Sequence, residues 1–127
     1  MKKSNLTLIL IFVCTYCFSQ NYSGALGTSG YLTCDELEET IVKKTKFKKG
    51  WDDYELKSSF LEKVKFYESK FFYTFALVKF KDNESTYVFC GISDVHSAMF
   101  EVFLGKDGHS TGKLFHEYIS PYKCDCK

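Results

Sequence analysis

Three segments in the middle of the chain show the residue pattern of β-strands. They cover about residues 60–67, 71–81 and 85–92, and the last two are rich in aromatic and β-branched residues. The second strand carries apolar groups on both faces, with Phe72, Thr74, Ala76, Val78 and Phe80 on one and Phe71, Tyr73, Phe75 and Leu77 on the other. The third strand does the same, with Val88, Cys90 and Ile92 on one face and Tyr87 and Phe89 on the other.

The connections between these strands predict how the sheet is built. Asp82, Asn83 and Glu84 form a turn sequence that joins the last two strands as an antiparallel hairpin. A sheet that is apolar on both sides must be covered on both sides. We therefore expect an α+β fold, in which a three-stranded antiparallel sheet is flanked by helices.

Three segments have helical periodicity, and each follows a capping residue. The first covers about residues 34–45, begins at a capping box formed by Thr33 and Glu36, and has a narrow apolar stripe made of Cys34, Leu37 and Ile41. The second follows Ser93 or Asp94, ends at Gly105, and is predicted to pack through Val95, Ala98, Met99, Val102 and Phe103. The third follows Ser110 or Thr111, stops at Pro121, and turns Leu114, Phe115, Tyr118 and Ile119 to the core.

The N-terminus resembles a secretory signal. Lys2 and Lys3 precede an uncharged apolar run over residues 6–18, and small residues are placed for cleavage after Ser19. The apolar run is too short to span a bilayer, which needs about 17–25 residues. We therefore expect residues 1–19 to be a signal peptide, residues 20–32 a flexible lead-in and residues 33–127 one domain. The mature protein would be exported, periplasmic or secreted, with no membrane span.

The charge balance does not indicate a strongly charged binding partner. The 17 basic residues are all lysine and 16 residues are acidic, so the formal net charge is +1. Loss of the two leader lysines changes the balance to 15 − 16 = −1. Since arginine is the residue best suited to bidentate recognition of phosphate and guanine, its absence counts against a nucleic-acid partner.

Four cysteines remain after leader removal, namely Cys34, Cys90, Cys124 and Cys126. An even number in an exported chain predicts two disulfides. A bridge between Cys124 and Cys126 would close a strained ring, so each is expected to pair with Cys34 or Cys90, and the pairing stays open. The alternative is a zinc site that adds His109 or His116 to the thiolates, although the spacing of Cys124 and Cys126 is shorter than zinc motifs use. We expect no metal and no cofactor.

The strand and C-terminal patterns resemble those of the KTSC domain, a module named for its presence at the C-terminus of some lysyl-tRNA synthetases. The resemblance covers about residues 58–122 and is carried by Ser58, Ser59, Leu61, Val78, Phe80, Tyr87, Phe89, Ser110, Gly112, Phe115, Ile119 and Tyr122. This chain has Gly91 and Ile92 where the family tends to have Val-Pro, and His116 where an asparagine often occurs. The resemblance implies a compact binding module without an agreed activity. The association of the family with RNA rests only on the domains that it occurs beside.

The remaining candidate sites have alternative structural explanations. A basic run contains Lys43, Lys44, Lys46, Lys48 and Lys49, which form either a binding patch or a solvated helix end leading to Gly50. Phe71, Phe72, Tyr73 and Tyr87 are either core residues or a stacking platform. Ser110 could act as a nucleophile with His109 or His116, but it also serves as a helix cap.

No catalytic residue set emerges from these patterns. The sequence therefore predicts a non-enzymatic binding module whose partner is a protein or a small ligand outside the cytoplasm. One concrete version is a periplasmic, immunity-type protein that neutralises an incoming toxin or enzyme. The alternatives are a nucleic-acid-binding module, which uses the lysine run and the sheet aromatics, and a small secreted hydrolase.

Overall fold

The computed structural model of the protein describes residues 22–28 and 31–126, and the predicted signal peptide lies outside them. The helices are α1 (Tyr22–Leu26), α2 (Cys34–Lys44), α3 (Asp53–Leu56), α4 (Asp94–Phe103) and α5 (Thr111–Tyr118), followed by a 3-10 turn (Ser120–Tyr122). The strands are β1 (Lys46–Trp51), β2 (Leu61–Glu68), β3 (Thr74–Phe80) and β4 (Thr86–Ile92).

The sheet has four antiparallel strands in the order β1-β2-β3-β4. The α+β class and the antiparallel sheet are confirmed, but the prediction of three strands is wrong because it missed β1. Most of β1 is exposed, and its pairing with β2 shifts between Phe47 and Lys49. Edge strands are commonly charged and irregular, so β1 lacks the apolar alternation that marks an inner strand. The predicted link over residues 51–55 contains the end of β1 and most of α3.

Helices cover both faces of the sheet, as its two-sided apolar pattern predicts. The first core, which includes residues of α3, α4 and α5, consists of Trp51, Leu56, Leu61, Val64, Phe66, Ala76, Val78, Phe89, Ile92, Phe100, Leu114, Phe115 and Ile119. The second core, on the side of α1 and α2, consists of Tyr22, Leu26, Leu37, Ile41, Tyr67, Phe75, Leu77, Val88 and Cys124.

The N-terminal part of the fold is more ordered than its sequence predicts. The helix expected over residues 34–45 is present, and its capping box at Thr33 has hydrogen bonds in both directions. The segment predicted as a flexible lead-in, residues 20–32, contains α1. Tyr22 and Leu26 of α1 are buried in the second core, so this segment contributes apolar area to the fold.

Helix α4 packs on the sheet through a different face from the predicted one. Phe100 is fully buried, and its ring centroid lies 5.3 Å from that of Trp51 and 5.7 Å from that of Phe66. Of the predicted face only Phe103 packs against the first core. The other four residues are exposed, namely Val95, Ala98, Met99 and Val102. Because an aromatic ring buries more apolar area than valine or alanine, Phe100 sets the orientation of the helix.

A bulge at Gly91 reverses the side-chain alternation at the end of β4. Phe75 pairs with Cys90 but Thr74 pairs with Ile92, which leaves Gly91 as an extra residue. Its φ of 70° is one that glycine adopts without steric cost. Ile92 therefore lies in the first core, and the prediction that it shares a face with Cys90 is wrong.

We expect Gly91→Ala to destabilise the protein by about 2–3 kcal/mol, since the new side chain meets both backbone strain and a close neighbour. A Cβ atom at Gly91 would lie 2.9 Å from Tyr73 Oη. Desolvation by burial raises the pKa of Tyr73 to about 12, so the crowded hydroxyl stays protonated into the alkaline range. Urea unfolding measures the loss, and part of it should be recovered when Tyr73→Phe removes the hydroxyl.

The matched control for this variant is Gly24→Ala. Gly24 lies in α1 with an ordinary φ, and a Cβ atom at this position would meet no described neighbour within 4 Å. Alanine is favoured over glycine in helices by about 0.5–1 kcal/mol, so this variant should unfold at the same urea concentration or slightly higher. Equal losses in the two variants would contradict the bulge strain.

Two disulfides join the C-terminal tail to α2 and to β4. Cys34 of α2 pairs with Cys126, and Cys90 of β4 pairs with Cys124. The tail lies beside β4, where the Cys124 N–H donates to the Val88 carbonyl at 3.1 Å. The predicted pair of disulfides is confirmed, and the connectivity that the sequence left open is decided by this placement of the tail.

Candidate functional site

Phe60 lies at the centre of an aromatic cluster between the sheet and α5. Its ring stacks on Phe80 at 6.1 Å between centroids and on His116 at 5.7 Å, and it meets the edge of Phe115 at 6.0 Å. Phe80 in turn contacts Tyr87 at 5.1 Å. These rings border a pocket of about 380 Å³, here called the aromatic pocket, which is lined by Phe60, Phe80, Tyr87, Phe89, Phe115, His116, Ser120 and Lys123.

Local backbone features bring α5 close enough to form this pocket. Ser58 Oγ accepts hydrogen bonds from the N–H groups of Phe60 and Leu61 at 3.2 and 3.1 Å, which fixes the start of β2. Ser110 caps α5, and a Cβ atom at Gly112 would lie 2.7 Å from Phe60 Cε1. Gly112 therefore permits a contact between helix and ring that a larger residue would prevent.

Seven of the apolar positions in the KTSC-like pattern lie in the first core, line the aromatic pocket, or do both. Leu61, Val78 and Ile119 are fully buried in the first core. Four others line the aromatic pocket, namely Phe80, Tyr87, Phe89 and Phe115. The spacing of these residues thus corresponds to a packed core with an open aromatic side.

The pocket combines an aromatic floor with two polar groups at its rim. Phe89 and Phe115 are buried, whereas His116 and Lys123 are exposed. In the described part of the chain, no ion pair engages the Lys123 ammonium. A pocket of this size with an apolar wall and few polar groups suits a small organic ligand. A flat apolar body with one anionic group would satisfy both the rings and the ammonium.

A second cavity, of about 580 Å³, lies beside the aromatic pocket and includes Ser59, His109 and Ser110 in its lining. Ser110 Oγ accepts from the Lys113 N–H at 3.3 Å, and His109 stacks on Phe103 with centroids 4.5 Å apart. His116, the histidine proposed for a hydrolase, instead lines the aromatic pocket. Among the hydrogen bonds of the described residues, none joins Ser110 Oγ to His109 or His116, so the hydrolase residue set is not assembled.

One group of polar side chains was not predicted from the sequence. Tyr122 Oη lies 2.7 Å from His96 Nδ1 and 3.3 Å from Ser93 Oγ. Ser93 also caps α4, so the contact ties the 3-10 turn to the beginning of that helix. Ser93 and Tyr122 are 29 positions apart in the chain, and only the capping role of Ser93 was visible in the sequence.

The five lysines of the basic run do not form one site. Lys43 pairs with Glu39 at 2.7 Å on α2, and Lys49 lies 5.5 Å from the centroid of the Trp51 ring. The expected solvated helix end stops at residue 44, and Lys46, Lys48 and Lys49 belong to β1. Because charged side chains on an edge strand oppose pairing with other chains, these lysines also protect the open edge of the sheet.

Four lysines of the run line a cleft that also contains residues of the turn between β2 and β3. Lys43, Lys44, Lys46 and Lys48 line a cleft of about 800 Å³ together with Lys70, Phe47 and Phe72, which we call the basic cleft. The proposed stacking platform is divided. Phe71 and Phe72 are exposed in the turn between β2 and β3, whereas Tyr73 packs with the second core and Tyr87 with the first.

The four cysteines of the described chain offer no thiolate for a metal, because all are paired in disulfides. Within residues 22–28 and 31–126, no group of three histidine, cysteine, aspartate or glutamate side chains could hold a metal ion. The disulfides are typical of a protein that folds in an oxidising environment.

Comparison of the chain with protein-family models, with curated proteins and with solved structures found no match. Every helix in the described part of the chain is too short or too polar to cross a membrane. Function is therefore argued from the aromatic pocket and the basic cleft.

Proposed function

We propose that the protein is an exported, non-enzymatic binding module of the KTSC type and that the aromatic pocket is its ligand site. The observation that carries the proposal is the convergence of five aromatic rings on one pocket whose rim bears Lys123 and His116. The ligand class is a small molecule with an aromatic or other flat apolar body and one anionic group. The two disulfides support a site of action outside the reducing cytoplasm.

Partial exposure of the pocket rings supports binding rather than core packing alone. Phe60, Phe80 and Tyr87 pack against the first core but keep part of their surface open to solvent. Large partly exposed rings around a concavity are uncommon unless something covers them. The ligand would complete the contacts of these rings and pair its charge with Lys123.

Titration of the disulfide-bonded protein with a set of aromatic carboxylates, followed by thermal shift and calorimetry, tests the pocket. We expect Lys123→Glu to lower the affinity for the best-binding carboxylate by about fivefold or more. An exposed ion pair contributes up to about 1 kcal/mol, and the new charge repels the ligand. The matched control is Lys113→Glu, an equal charge change at an exposed residue of α5 outside the pocket.

A second variant, Ser120→Phe, places a ring in the space that the ligand would occupy. Binding should be lost in this variant while circular dichroism shows a folded protein. If the carboxylates bind the wild type, Lys123→Glu and Ser120→Phe equally well, they bind elsewhere. If no member of the set binds the wild type, the proposed ligand class is wrong, and the aromatic pocket is only an incompletely filled edge of the core.

A further inference from the structure

The turn between β2 and β3 presents two phenylalanines to solvent. Phe71 is 65% exposed and Phe72 is 76% exposed, although both are strongly apolar. They are consecutive residues of the turn, beyond the last paired residues of β2 and β3, Glu68 and Thr74. Phe47, on the adjoining edge strand, is also more than half exposed. Clustered exposed aromatics of this kind mark an interaction surface.

The backbone of this turn is held in one conformation. Ser69 is buried, and its Oγ accepts from the N–H groups of Phe71 at 3.3 Å and Tyr73 at 3.2 Å. The Phe72 N–H donates to the Ser69 carbonyl at 3.0 Å. Phe72 has a φ of 60°, which is unfavourable for a bulky side chain and is normally taken by glycine or asparagine. A strained residue that keeps an exposed ring suggests that the ring has a function.

Lysines surround the turn on the side of the basic cleft. The cleft contains five lysines and one acid, Glu68, so its lining carries a formal charge of 5 − 1 = +4. Glu68 is itself paired with Lys48 at 3.4 Å. Lys70 lies 5.4 Å from the centroid of the Phe71 ring, so positive charge also reaches the apolar tip. This concentration of charge contrasts with the near neutrality of the whole chain.

We propose that residues 69–73 and the basic cleft dock the protein on a bilayer of anionic phospholipid. The two rings would enter the boundary between headgroups and acyl chains, while the lysines contact lipid phosphates. Ammonium groups on flexible stems suit phosphates that are not held in a fixed array, whereas nucleic-acid recognition favours arginine, which this chain lacks. The disulfides also indicate an oxidising compartment, where membrane surfaces are present and RNA is scarce.

This docking surface is independent of the proposed ligand site. The basic cleft and the aromatic pocket share no lining residue. They also lie at opposite ends of β3, since Thr74 follows the turn and Phe80 belongs to the pocket. A failed ligand test would therefore leave the membrane proposal intact, and the reverse also holds.

Vesicle flotation with Phe72→Asn tests the apolar part of the surface. Asparagine accepts a positive φ more readily than phenylalanine, so the variant should melt at the same temperature as the wild type or higher. Its partition onto vesicles with about 30% phosphatidylglycerol should nevertheless fall at least about tenfold, because a large buried apolar area is lost. Mass spectrometry should first verify that all proteins in the comparison carry the same N-terminus.

Two controls distinguish binding through this surface from nonspecific adsorption to vesicles. Met99→Asn removes an exposed apolar side chain from α4 and should leave vesicle binding unchanged. Lys46→Gln with Lys70→Gln should weaken binding about 25-fold, at about fivefold for each lysine near an anionic surface. Lys106→Gln with Lys113→Gln removes the same charge from exposed sites outside the basic cleft and should have little effect.

A tryptophan at the tip reports the depth of insertion. Trp51 is the only tryptophan of the chain and is 6% exposed, so brominated lipids should not quench it in the wild type. In Phe72→Trp the new indole should be quenched and its emission should shift to shorter wavelength on phosphatidylglycerol vesicles.

Three results would overturn the proposal. They are equal vesicle binding by the wild type and Phe72→Asn, equal binding of the wild type to neutral and anionic vesicles, and absence of quenching in Phe72→Trp. Competition with a single-stranded oligonucleotide tests whether the surface binds nucleic acid instead of lipid. If the oligonucleotide binds through Phe72 and the lysines while vesicles do not, the surface is a nucleic-acid interface and the membrane proposal is wrong.

Discussion

Reduction of the two disulfides is expected to lower the melting temperature by about 15 °C or more. In the chain-entropy model, a bridge that spans 92 residues and one that spans 34 contribute about 4.6 and 3.8 kcal/mol, and a native bridge in a small domain is generally worth about 2–5 kcal/mol. One kcal/mol corresponds to about 4–8 °C in a domain of this size. Circular dichroism melts with and without reductant measure the effect.

Paired substitutions separate the two bridges. Cys34→Ala with Cys126→Ala opens the longer loop and frees α2 from the tail. Cys90→Ala with Cys124→Ala opens the shorter loop, and Cys124 is buried in the second core. We expect each pair to lose about 2–5 kcal/mol, measured by urea unfolding without reductant. Melting that is unchanged by reductant and by both pairs would contradict a stabilising role for the bridges.

Phe100→Ala is expected to cost about 3–5 kcal/mol, because it removes a fully buried ring from the contact of α4 with the sheet. The lost contacts are those with Trp51 and Phe66, which both lie in the first core. Equilibrium urea unfolding gives the free energy. If the alanine variant does not fold, Phe100→Leu keeps part of the apolar volume and should show a smaller loss in the same direction.

The matched control for the orientation of α4 is Val102→Ala on the same helix. Val102 is 59% exposed, so its truncation should change the unfolding free energy by less than about 0.5 kcal/mol. The apolar spacing of the helix alone predicts the opposite ranking, since it places Val102 against the core and omits Phe100. A larger loss of unfolding free energy from Val102→Ala than from Phe100→Ala would support the orientation predicted from the apolar spacing.

The exposed stripe on α4 differs from the turn at residues 69–73 in what surrounds it. Its members Val95, Met99 and Val102 are apolar and open to solvent. No feature of the described structure says what covers them. The turn, by contrast, combines exposed rings with local positive charge and a strained backbone, and that combination specifies the chemistry of a partner.

The candidate sites were only partly visible in the sequence. The KTSC-like positions Phe80, Tyr87, Phe89 and Phe115 were identified from their spacing, yet nothing in the sequence showed that they share a pocket with Lys123. The lysine run was identified as charged, but its neighbours Lys70 and Phe72 lie more than twenty residues away. Sites of this kind depend on strand pairing, which joins distant segments, whereas local patterns report neighbours in the chain.

The sequence by itself determined the elements whose signals are local. Caps at Thr33, Ser93 and Ser110 mark the three longer helices, because a capping hydrogen bond involves residues only three positions apart. The apolar pattern of β3 and β4 required cover on both faces of the sheet. The even number of cysteines after residue 19 indicated two bridges.

The tertiary structure decided those features that depend on contacts between distant segments of the chain. Strand β1 forms because β2 has a free edge, although half of its own six residues are lysine. Helix α4 turns toward the core the face that contains Phe100, because one large ring outweighs several small apolar groups. Gly91 adds a residue that moves Ile92 to the other face, and the path of the tail along β4 selects the disulfide partners. Each outcome depends on the burial of apolar area between segments far apart in the chain, which local spacing does not encode.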